Sequence, residues 1–164
     1  MPASGTRSPI RFRAFARSDA ARDVFWAWLA ATTVGGVPST VYALVTGADP
    51  LEATRAAGAM LIPAQSSTPA LIAAATLVHC AVSLFWVVIL VSLLPRRHVL
   101  AWWLAAAALV ALLDLRAIAP LFFPEVARLD FWPQFADHLM WGGAAGVALR
   151  RRWKKRATAG CPAR

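Results

Sequence analysis

Ala70 to Leu94 reads ALIAAATLVHCAVSLFWVVILVSLL and contains no formally charged side chain. At about 1.5 Å of rise per residue, a helix of that length reaches across a hydrocarbon core of roughly 30 Å. The stretch therefore reads as a membrane span, and the architecture follows from it. Thr76, His79, Cys80 and Ser83 recur at helical spacing, so their polar atoms share one side. That side is expected to face protein rather than lipid, because an imidazole in hydrocarbon is costly unless it is partnered.

The composition agrees. Of 164 residues, 59% are hydrophobic, and the mean hydropathy is +0.57. Ordinary soluble domains are about 45–50% apolar. The net charge of +9 does not point to nucleic acid, because the basic residues flank hydrophobic runs, where they set topology, and no basic globular domain is present. Cys80 sits inside a span and Cys161 in a basic tail. That spacing implies neither a disulfide framework nor a CxxC metal site.

Upstream, residues 1–23 carry Arg7, Arg11, Arg13, Arg17 and Arg22 against Asp19 and Asp23 and read as a basic cytoplasmic arm. The apolar run 24–45 that follows is longer than the roughly 7–15 residues of a signal-peptide core and is expected to be a retained first span. Phe25, Trp26 and Trp28 suit its inner interface. Gly35, Gly36, Ser39 and Thr40 offer small residues for close helix packing, and Pro38 predicts a kink that frees a backbone carbonyl one turn earlier. Between the first two spans, Asp49, Pro50 and Glu52 form a helix-start pattern. It predicts a short outer helix over about 50–62, lying on the interface, with Arg55 paired to Glu52.

Downstream of the central span, Pro95, Arg96, Arg97 and His98 form a tight turn, and residues 99–119 supply a third span with Trp102 and Trp103 at its inner border. Residues 120–130 read as an outer loop. The fourth span, 131–149, includes Asp137 and His138 and carries Gly142 and Gly146 in a GxxxG spacing suited to helix packing. The tail 150–164 follows with Arg150, Arg151, Arg152, Lys154, Lys155 and Arg156, an anchor that also suits anionic lipid. The predicted fold class is thus all-α: a polytopic membrane protein with a four-transmembrane-helix bundle and one interfacial helix between spans 1 and 2. Arm, turn and tail hold 14 of the 17 Lys and Arg but 2 of the 8 acidic residues. This asymmetry puts both termini in the cytoplasm of a bacterial-type inner membrane. Expected partners are the lipid bilayer and either a homo-oligomer or a larger membrane complex.

Counted from the inner ends of their spans, His79 and Asp114 fall near ~22 Å, and Asp137 and His138 near ~16–18 Å. Together with Ser83 they define the candidate polar intramembrane site. Imidazole and carboxylate suit transport or proton movement because burial and neighbours shift their protonation. The contrasting reading makes these groups interhelical hydrogen bonds of a structural or accessory subunit. A third uses His79 and His138 as axial ligands of a haem b, with room beside Gly142. A divalent metal held by His79, Asp114 and His138 has suitable ligand chemistry but no diagnostic spacing. An enzyme is not indicated: Ser83 and His79 are four residues apart, but no nucleophile turn or oxyanion hole accompanies them.

Overall fold

The computed structural model describes residues 9–159, and among these every regular element is helical. The first eight residues of the predicted arm and residues 160–164 of the tail, Cys161 included, lie outside the described residues. In chain order the elements are α1 (Pro9–Val34), α2 (Val37–Thr46), α3 (Glu52–Gly58), α4 (Thr68–Leu93), α5 (Val99–Leu113), a π-helical turn (Asp114–Ile118), α6 (Ala119–Phe122), α7 (Pro124–Ala127) and α8 (Phe131–Ala159). Three stretches, Asp19–Thr46, Thr68–Leu93 and Val99–Phe122, are long and apolar enough to cross a membrane. A fourth long helix, α8, carries Asp137, His138 and the Arg/Lys run within its length.

Several boundaries differ from expectation for identifiable reasons. The helix begins at Pro9 rather than near residue 24, because the arm is rich in Ala and Arg, both strong helix formers. In the same way α8 runs through the basic run to Ala159. The outer helix is shorter than 50–62. It starts at Glu52, and Asp49 accepts the Leu51 N–H at 2.8 Å and pairs with Arg55, so Arg55 does not turn to Glu52. Residues 120–122 continue the third helix instead of opening a loop. Pro120 cannot bond the Arg116 carbonyl, and its ring would collide with it in a regular helix. The wider π turn immediately upstream, in which the Ala119 N–H reaches back to the Asp114 carbonyl, makes the room.

The long helices pack as a bundle in which α8 lies against both α1 and α5, while α4 lies against α1. The core is built from Ala27, Ala31, Val87, Leu90, Trp103, Ala107, Trp141, Ala145 and Leu149. Small residues dominate because they let the helix backbones approach closely. Gly142 is where this matters most. A Cβ there would lie 2.4 Å from the Ala107 Cβ and 2.9 Å from the Trp103 carbonyl oxygen, and one on Gly146 would crowd Trp103 and Leu100. The GxxxG pair thus seats α8 on α5. At the end that holds α3, Gly58 lets that helix press onto the backbone of Leu71.

At the opposite end one carboxylate ties α1 to α8. Asp23 is 2% exposed. It accepts the Arg152 Nε–H at 2.9 Å, the Trp153 Nε1–H at 2.8 Å and both terminal nitrogens of Arg156. Residues 152, 153 and 156 share one helical face, and Arg96, from the turn before α5, stacks over the Trp153 ring at 5.3 Å. The clamp therefore gathers three segments of the chain at one level.

Two outcomes test this packing. Gly142→Ala is expected to cost about 1–3 kcal/mol through overpacking, read as a lower melting temperature in detergent. Gly36→Ala, where an added Cβ meets nothing within 4 Å, is expected to stay near wild type. Asp23→Ala leaves two guanidinium groups without their carboxylate and is expected to cost about 2–4 kcal/mol. The same melts check it, and an unchanged transition would contradict the clamp.

Candidate functional site

The first apolar stretch is not one continuous helix. Gly35 and Gly36 interrupt it, with Pro38 in the first turn of α2. A break of this kind strands a backbone acceptor at the end of α1 and a backbone donor at the start of α2, and in an apolar setting each must find a partner. The other helices supply both. His79, from α4, donates Nε2–H to the Thr32 carbonyl at 3.1 Å, which a continuous helix would have paired with the Gly36 N–H. Asp137, from α8, accepts the Ser39 N–H on Oδ1 at 2.9 Å. Its carboxylate thus sits at the positive end of α2, where the helix dipole favours an anion. Gly35 is buried between them, and a Cβ on it would come within 3.3 Å of the His79 ring and 3.5 Å of Trp141. Gly36 faces open space instead.

Two indoles reinforce the same level. Trp28 donates to the Cys80 carbonyl at 3.0 Å, and Trp141 donates to the Ser83 hydroxyl at 3.2 Å. Ser83 is therefore engaged with α8 and has no hydrogen bond to His79.

Asp114 and His138 form a separate couple between the π turn and α8. His138 Nδ1 lies 2.9 Å from the Gln134 carbonyl oxygen, and its Nε2 lies 3.3 Å from Asp114 Oδ2. A carbonyl only accepts, so Nδ1 carries a hydrogen. The Nε2 contact then needs one further proton, placed either on the imidazole, giving an imidazolium and a carboxylate, or on Asp114, giving a neutral acid and a neutral ring. Both arrangements are net neutral and hold that one proton. Their side chains are about a quarter exposed, 25% and 27%, so the couple is neither sealed nor freely hydrated. Arg116, two residues from Asp114, points elsewhere and lies over the Phe131 ring at 4.1 Å.

The sequence-derived site thus resolves into two parts. His79 and Asp137 patch the helix break, Ser83 anchors Trp141, and Asp114 and His138 pair with each other. No hydrogen bond joins His79 to Asp114 or His138 among the described residues. The space beside Gly142, where a macrocycle would have to fit, is taken by Ala107 and the Trp103 backbone, and both His138 nitrogens are engaged. Among the described residues no three His, Cys, Asp or Glu side chains converge on a point that would hold a metal ion. Near the end of α2, Tyr42 donates to Asp130 at 3.1 Å, and Arg128 donates to Glu125 at 2.7 Å. Arg55, with help from the Leu51 N–H, holds the Asp49 carboxyl below the usual carboxylate range.

Sequence reasoning missed Asp23 and its partners, and the part played by the Gln134 carbonyl. A signal for the first existed: an acid at the mouth of an apolar run needs a cation, and Arg152 and Arg156 are one turn apart. The second is a backbone group and left no trace in residue types. Comparisons of this chain with family models, with curated proteins and with solved structures returned no match.

Asp137→Asn keeps an acceptor for the Ser39 N–H and is expected to retain most of the stability. Asp137→Leu leaves the donor unpaired and is expected to cost about 1–3 kcal/mol. Thermal melts of the two variants decide it, since equal losses would show that the carboxylate does not cap α2.

Proposed function

We propose that this chain is a small integral membrane protein of four spans, α8 up to Leu149 being the fourth. Both ends face the cytoplasm of a bacterial-type inner membrane, and its activity is proton movement, alone or coupled to transport of a small solute. Support for the fourth span comes from the seating of α8 between α1 and α5 and from the excess of Lys and Arg at the inner ends. The observation that carries the functional reading is the Asp114–His138 couple, fixed to one proton by the Gln134 carbonyl. Loss of that proton turns the Nε2 lone pair toward an anionic oxygen, so deprotonation drives the two side chains apart. Asp114 sits on the π turn, a local departure from α-helical pairing of a kind frequent at functional sites. Proton release is thereby linked to a change in how the π turn meets α8.

The second reading is a structural or accessory subunit, favoured by the way His79, Ser83 and Asp137 serve backbone and indole groups of neighbouring helices. Full-length protein reconstituted into vesicles with an internal pH-sensitive dye separates the two. An imposed pH gradient is expected to decay faster with wild type than with Asp114→Asn or His138→Gln, by about tenfold or more. A wild-type decay equal to that of empty vesicles would overturn proton movement and leave the accessory reading.

A further inference from the structure

The basic run on α8 has two faces with different fates. At about 100° per residue, Arg152, Trp153 and Arg156 fall on one side, turned to Asp23 and, for Arg156, also toward Asp19 at 3.9 Å. Arg150, Arg151, Lys154 and Lys155 occupy an arc of about 140° on the opposite side, and all four are exposed. The two carboxylates at this end are therefore committed to the other face, and among the described residues the four cations have no internal counterion. Leu149, fully buried in the bundle core, fixes their height. Arg150 to Lys155 lie about 2–9 Å beyond it along the helix, which is the depth of the polar headgroup layer on either side of the hydrocarbon. Arg97, exposed in the turn before α5, adds a fifth cation near the same level.

We propose that this stripe is a binding surface for anionic phospholipid headgroups, held at the membrane surface by the Asp23 clamp. The clamp supplies what a loose basic tail lacks. A helix pinned at Trp153 and Arg156 presents its four cations in fixed register, so headgroup phosphates meet a preorganised array instead of ordering it on contact. The proposal rests on the membrane reading given above.

The test uses the purified full chain in detergent, titrated separately with phosphatidylglycerol, phosphatidylcholine and inorganic phosphate. Lipid retained in native mass spectra and the melting temperature are the readouts. Wild type is expected to retain phosphatidylglycerol in preference to phosphatidylcholine, and the preference is expected to shrink at high salt. Replacing Arg150, Arg151, Lys154 and Lys155 by Gln should weaken phosphatidylglycerol retention by about tenfold or more. If that variant does not fold, Lys154→Gln with Lys155→Gln gives a smaller loss in the same direction. Equal retention of the two lipids, an unchanged variant, or displacement of phosphatidylglycerol by millimolar inorganic phosphate would each overturn the proposal. Alkaline extraction of native membranes separates the failures. A chain that stays in the membrane without lipid preference removes the stripe alone, whereas a chain released as a peripheral protein removes the membrane reading.

Discussion

A helix interrupted inside an apolar layer has nowhere to send its loose backbone groups, and the packing of this molecule answers that difficulty. Gly35 and Gly36 strand the Thr32 carbonyl and the Ser39 N–H. Leaving either unpaired in hydrocarbon would cost several kcal/mol. The partners come from different helices, His79 on α4 and Asp137 on α8, so α1, α4 and α8 are held in register by one defect. Once that register is set, Trp141 reaches Ser83, and Gly142 falls where α5 comes closest. At the other end Asp23 finds Arg152, Trp153 and Arg156.

Where charge is buried, geometry decides what it does. Asp137 behaves as a cap and Asp23 as a clamp, each with its donors in place. Asp114 differs, because its partner is an imidazole already committed at Nδ1. A lysine or arginine opposite Asp114 would give a permanent ion pair. A histidine opposite it, with Nδ1 already committed, gives a contact that needs one shared proton.

The apolar runs made the three qualifying helices legible in the sequence, since length and hydropathy need no tertiary information. The break near Pro38 was legible too, and Gly142 and Gly146 stood out by their GxxxG spacing. Helix ends were not, because Ala and Arg continue a helix into water as readily as apolar residues continue it in lipid. The polar residues were visible as a set at one height, but height does not fix rotation. Whether His79 faces Thr32 or Asp114 depends on the azimuth of α4, which the packing of α4 on α1 and α3 determines. The pairing of Arg55 with Asp49 instead of Glu52 shows the same limit at short range, as a turn before the helix outcompeted a neighbour within it.

The placement of Asp137 has a consequence for biogenesis. In a chain made from its N-terminus onward, α8 is the last of the long helices to be completed, yet it carries both the acceptor that caps the broken first helix and the guanidinium groups that neutralise its buried acid. Until α8 packs against it, the earliest helix carries an open backbone break and an unmatched carboxylate. Order of synthesis therefore runs against order of completion. A ribosome-bound intermediate that stops short of α8 leaves its oldest segment the least finished.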